Sequence, residues 1–169
     1  MKAIEDNVRA VDLLTSLPEV DPERIGCIGH SLGGHNTLFT AAFDPRIRVM
    51  VSNCGFTAFG SYYGGDLTGW SSKTYMPRIP SYGGWRNMPF DFHEVVAALA
   101  PRPFLAIAPI SDSNFEVKGV REVMESAGGV YRLLGAGEKL ALLTPDCGHD
   151  FPPEAREKAY GWFDRWLGR

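Results

Sequence analysis

Apolar residues follow two rhythms along this chain. Ile4, Val8, Val11 and Leu14 recur at helical spacing with charged residues between them, which predicts a helix over 2–16. Pro18, Asp21 and Pro22 end it and lead into a short continuous apolar run, Ile25-Gly26-Cys27-Ile28, of strand type. Residues 32–43 are helix-compatible as far as the Asp44-Pro45 break, and Ile47 to Val51 reads as a second strand that ends at Ser52-Asn53-Cys54-Gly55. A short helix at 92–99 precedes Pro101-Arg102-Pro103 and a third strand at 104–108. Residues 117–127 form an amphipathic helix with Val120, Val123 and Met124 inward, and Gly128-Gly129 is expected to interrupt it. After a fourth strand at 140–143, the chain closes with a helix over 153–167. Pro152 and Pro153 suit its first turn, and Ala155, Ala159, Trp162, Phe163 and Trp166 share a stripe.

Alternation of this kind predicts an α/β fold, a parallel sheet of about four strands with helices on both faces. The strands are unbroken apolar runs, as expected when both faces are covered. One region departs from the rhythm. Residues 56–92 hold half of the chain's aromatic residues, with Gly60, Gly64, Gly65, Gly69, Gly83 and Gly84 between them. So long an excursion within a single domain spanning 1–169 reads as a pocket or cap element, or as a partly helical segment whose aromatics pack on the sheet.

Composition narrows the field. A chain of 169 residues with net charge −3 and 44% hydrophobic content suits one globular domain. No basic patch suggests a nucleic-acid partner, and no run of about 18 apolar residues suggests a membrane span. Three cysteines without metal-ligand spacing fit free thiols in a reducing compartment. Lys2 is followed by Glu5, Asp6 and Asn7, which does not resemble a signal peptide, so the expectation is a cytoplasmic protein. No cofactor motif is present.

The chemistry concentrates at Gly29-His30-Ser31-Leu32-Gly33, which lies between the first strand and the second helix. A serine at the apex of a strand–turn–helix corner takes positive φ, and the residues two before and two after it must be small because strand and helix pass in contact. Its hydroxyl and the Leu32 N–H then stand at a helix N-terminus, where developing negative charge is favoured. Such a hydroxyl needs a base, and the base needs an orienting acid. In a parallel sheet, residues just past the strand ends converge on one edge. His149, in Gly148-His149-Asp150-Phe151, and Asp112, in the segment after the third strand, both lie there. Asp146 and Glu116 are the fallback acids, while Asp150 is too close in sequence to His149 to reach its ring. His30 reads as a pocket-lining residue, His35 as packing under the turn and His93 as a helix-start residue. The four histidines show no metal-ligand spacing.

The chain resembles the C-terminal part of an α/β-hydrolase of the dienelactone-hydrolase, acetyl-xylan-esterase and prolyl-oligopeptidase-like branch. The residues carrying the resemblance are Asp21-Pro22-Glu23-Arg24-Ile25-Gly26, Gly29 to Gly34, Ala100-Pro101-Arg102-Pro103 and Gly148-His149-Asp150-Phe151-Pro152. It implies that Ser31 is the nucleophile, Asp112 the acid, His149 the base and Leu32 N–H an oxyanion donor. It also implies hydrolysis of small esters, with a carbohydrate esterase or a peptidase as the close variants; Leu32 after the serine leans towards an esterase. A reading of another class is a weakly active or non-catalytic half-domain serving assembly. The family's first four strands, which bring a second oxyanion donor, have no counterpart here. Tyr62, Tyr63 and Trp85, or a second subunit, are the candidates to replace that donor, and His30, Tyr62, Tyr63 and Trp85 are the expected substrate-side residues. The strand at Ile25–Ile28 would then be a free edge, which predicts a homo-oligomer joined near it, unless the sequence is a piece of a longer protein.

Overall fold

A computed structural model of the protein describes residues 2–73 and 75–168. Four strands, β1 (Ile25–His30), β2 (Ile47–Asn53), β3 (Phe104–Ile107) and β4 (Leu140–Leu143), form one sheet in the order β1-β2-β3-β4. Every neighbouring pair is parallel, with Ile28 opposite Val51, Val51 opposite Leu105 and Leu105 opposite Ala141 across the layer. Helices α1 (Lys2–Ser16), α2 (Leu32–Phe43), α3 (Phe92–Ala97), α4 (Val117–Leu133) and α5 (Pro153–Leu167) connect and flank the strands.

Burial explains the two faces. One core gathers Val11, Leu38, Met50, Phe92, Phe104, Val120 and Val123, so α1 to α4 cover that side. A smaller core joins Val51, Leu105 and Ile107 to Ala155 and Ala159 of α5, with Trp162 and Phe163 packed beside it. The stripe on the last helix thus covers the second face alone. In β2 every residue after Arg48 is buried, as a central strand requires.

The structure corrects several boundaries. β1 and β2 run two residues further than the apolar pattern indicates, to His30 and Asn53, because Ser52 and Asn53 stay in register with Ala106 and Ile107 of β3. α3 stops at Ala97. α4 does not break at Gly128-Gly129 but continues to Leu133. Ahead of its end, Tyr131 is fully buried and its hydroxyl donates to the Arg102 carbonyl at 2.9 Å. That anchorage outweighs the ~1 kcal/mol that a glycine costs in a helix interior.

The 56–92 excursion is ordered by its aromatics. It contains four 3-10 turns (Phe59–Gly65, Leu67–Trp70, Ile79–Tyr82 and Trp85–Asn87). Trp70 is their hub: it stacks on Tyr62 at 4.2 Å between centroids and meets Phe59 and Phe92 at 5.2 Å each. Asp91 ties the excursion to α3. Its carboxylate caps the helix in a reciprocal box with Glu94 and also accepts from Phe59 N–H at 3.0 Å.

Candidate active site

The corner between β1 and α2 sets the first functional group. Ser31 has φ 54° and ψ −118°, and its N–H donates to the Asn53 carbonyl at 2.9 Å. Crowding fixes the small residues around it. A Cβ on Gly29 would lie 2.1 Å from the Gly33 backbone, and one on Gly34 would lie 2.9 Å from the Asn53 carbonyl oxygen. A Cβ on Gly33 itself would meet nothing, so the close approach is Gly29 against the Gly33 backbone, with Gly33's own side-chain direction open.

The loops after β3 and β4 deliver the other two groups. His149 Nε2 stands 2.9 Å from Ser31 Oγ, and His149 Nδ1 stands 3.0 and 3.1 Å from the two Asp112 carboxylate oxygens. A carboxylate only accepts, so Nδ1–H donates to Asp112 and leaves Nε2 free to accept from the serine hydroxyl. Asp112 is held by its own loop: Oδ1 accepts the N–H groups of Asn114 at 2.8 Å and Phe115 at 3.1 Å, and its side chain is almost fully buried. The serine, imidazole and carboxylate proposed from sequence therefore meet in hydrogen-bonding order. Asp150 serves the loop instead, its carboxylate accepting from Phe151 N–H at 2.7 Å. The Leu32 N–H belongs to the first turn of α2, where no intrahelical acceptor exists for it.

The remaining sequence candidates divide. His30 lies beside the base, its ring centroid 4.9 Å from that of His149. Tyr63 is exposed and its hydroxyl donates to Asn114 Oδ1 at 2.9 Å, so it borders the loop that carries Asp112. Tyr62 corrects the expectation of a pocket wall: it is only 8% exposed and packs in the core against Trp70. Trp85 packs over Gly60 and Gly65 and lines a hollow with Asp66, Leu67 and Ile79. His35 is buried among Phe39, Tyr75 and Phe92 beneath the corner, and that burial pushes its pKa down to about 4. His93 sits near Asp91 at the start of α3.

Three neighbours had no sequence signal. Phe115 faces His149 at 5.8 Å between centroids. Asn53 and Cys54 end β2, a strand whose polar residues formed no motif, and Cys54 takes φ 50° there. Cys54 Sγ, an Asp112 oxygen and a His149 nitrogen lie within 4.8 Å of one another, a donor set of metal-ligand type. Burial first, then the nearby Asp112 charge, push the Cys54 thiol pKa up, so the group is a protonated thiol donating to the Asp150 carbonyl at 3.5 Å. Asp112 is committed to His149 and two backbone N–H groups. The set therefore suits proton chemistry better than a cation.

Parallel sheet order, strand–serine–helix corner and helices on both faces define this as an α/β-hydrolase fold. Within that class the chain belongs to the glucuronyl esterase family: the family model described as "Glucuronyl esterase, fungi" matches residues 7–135. The chain is 28% identical over 176 residues to the putative hydrolase YtaP of Bacillus subtilis, across 97% of this chain and 53% of that protein. It is 27% identical over 145 residues to carbohydrate esterase MZ0003 of an unknown prokaryotic organism, across 81% of this chain and 34% of that one. A carbohydrate esterase family 15 glucuronoyl esterase from Caldicellulosiruptor kristjansonii superposes with a TM-score of 0.84 at 23% identity, over 98% of this chain and 49% of the other. The chain thus spans only about a third to a half of the length of these relatives. The resemblance to an α/β-hydrolase holds, and carbohydrate esterases are among the proteins it matches. Among the described residues, no helix is long and apolar enough to cross a membrane.

Proposed function

We propose that this chain carries the reacting groups of a serine esterase that works through an acyl-enzyme. The observation that carries the reading is the hydrogen-bonded series Ser31 Oγ, His149, Asp112. His149 Nε2 takes the serine proton as Oγ attacks the ester carbonyl, then returns it to the leaving alcohol. Asp112 holds the imidazole with Nδ1–H and favours its charged form. The Leu32 N–H, at the positive end of α2, stabilises the developing oxyanion. Family membership favours a carbohydrate ester over a plain alkyl ester or a peptide as substrate. Tyr63, exposed next to the Asp112 loop, supplies part of the substrate wall, while Tyr62 and Trp85 stiffen the excursion behind it. Residues 56–92 serve as the cap element of a domain spanning 1–169. The free edge of β1 pairs with a second copy of the chain. Three free cysteines suit a reducing compartment such as the cytoplasm.

The test compares turnover of p-nitrophenyl acetate by the purified chain and by Ser31→Ala. Loss of turnover in the variant, with fluorophosphonate labelling of Ser31 that His149→Ala abolishes, is the expected result. Equal rates in the two proteins would favour the half-domain that serves assembly alone.

A further inference from the structure

Asn53 is fully buried at the end of β2 and touches three parts of the site. Its backbone carbonyl accepts the Ser31 N–H at 2.9 Å. Its side-chain nitrogen, Nδ2, lies 3.1 Å from the Asp150 carbonyl oxygen and 2.6 Å from His30 Nδ1. A carbonyl oxygen can only accept, so the amide must present Nδ2 there; the reverse orientation would set oxygen against oxygen. One hydrogen of the same NH₂ then points at Asp150 and the other at His30, and His30 Nδ1 has to be the lone-pair nitrogen. The neutral ring consequently carries its proton on Nε2.

We infer that Asn53 positions His30 as the Nε2–H tautomer, and that this N–H is a hydrogen-bond donor to a substrate oxygen beside Ser31. The site would thereby prefer esters that carry a hydroxyl or carboxylate acceptor close to the scissile group. This rests on the serine esterase reading for its biological use, although the tautomer itself does not. His30 lies on the exposed side of the corner, where a substrate has access. Burial first, and the neighbouring His149 second, lower the His30 pKa, with the carboxylates of Asp150 and Asp112 opposing them, which favours the neutral ring that the Asn53 donor requires. A neutral donor is useful in this position: it binds an oxygen without placing a second cation against the His149 imidazolium that forms during attack.

Two measurements decide it. Long-range nitrogen–proton NMR of the imidazoles in Ser31→Ala, where nothing turns over, reads the tautomer directly. The expected spectrum shows His30 protonated at Nε2, and the Nε2 signal moves when glucuronic acid methyl ester is added but not with methyl cyclohexanecarboxylate. Asn53→Asp, which offers Nδ1 an acceptor instead of a donor, should turn the ring towards the Nδ1-protonated or charged form and raise its titration midpoint. In the active protein, His30→Phe should raise KM for the sugar ester roughly 3–10-fold, the worth of one hydrogen bond. His30→Gln, which keeps a donor, should restore most of the loss, and in His30→Phe the KM for the sugar ester should rise relative to that for the cyclohexane ester. A His30 ring protonated on Nδ1, or a signal indifferent to the sugar ester, overturns the inference. Absence of Ser31-dependent turnover would instead defeat the esterase reading and leave the spectra to decide this one.

Discussion

Asp112 commits two oxygens to three donors, and that arrangement makes its charge hard to replace. Asp112→Asn would put an NH₂ or a weaker acceptor against His149 Nδ1 while the Asn114 and Phe115 N–H groups still need an oxygen. The imidazole would then favour the tautomer whose proton faces Ser31, which cannot accept from the hydroxyl. In the comparable substitution of serine proteases the turnover falls about 10⁴-fold, and a fall of that order in kcat, with an unchanged circular dichroism spectrum, is expected here. His35 bears on stability instead. Its native pKa of about 4 lies below the ordinary 6.5, so between those values the unfolded chain binds a proton that the native state refuses. Its stabilising contribution is complete above pH 6.5 and is lost as pH falls towards 4, by about 3 kcal/mol in all. Urea titrations between pH 7 and 4.5 should show this slope, and His35→Phe should flatten it.

Helices and strands differ in how far their own residues declare them. α4 presents a case where local chemistry and packing disagree. Gly129 is exposed and a Cβ there would meet nothing, so Gly129→Ala removes a flexible residue from a helix interior without a clash. It should stabilise the protein by about 0.5–1 kcal/mol, read as a higher urea midpoint at constant slope. The same glycine pair makes the sequence predict a break, because the apolar stripe resumes only at Tyr131, whose burial is a tertiary matter. Elsewhere the pattern was sufficient: four apolar runs are four strands, and the serine corner and the loops after β3 and β4 were legible because chemistry-bearing residues sit at the strand ends. The 3-10 turns of the excursion were not, since Tyr62 and Trp70 owe their places to stacking rather than periodicity. Asn53 carries no signal in the sequence for a related reason: a polar residue at a strand end has no distinct role until the fold brings Asp150, His30 and Ser31 around it.

At the scale of the molecule β1 is one of the sheet's two edge strands, β4 being the other. It hydrogen-bonds to β2 on one side, and its other side has no strand among the described residues. Phe163 and Leu167 of α5 cover Gly26 on one face, while on the other a hollow of about 300 Å³ opens between α1, α2 and the strand, lined by Val11, Leu14, Ile25 and Ile28. Leu14 and Leu17 are each 40% exposed and Ile28 is 38% exposed, so the unpaired backbone lies next to apolar surface. An open edge with apolar flanks is a template for pairing, and a single charge on it is the usual way of blunting one. If a second copy pairs there, light scattering of the purified chain at micromolar concentration should give twice the monomer mass. Ile28→Lys should return it to the monomer. Because Ile28 is more than a third exposed and belongs to neither core, the substitution leaves both cores intact, and thermal unfolding should shift by no more than a few degrees. A wild-type chain that stays monomeric throughout would show that this edge does not pair with a second copy.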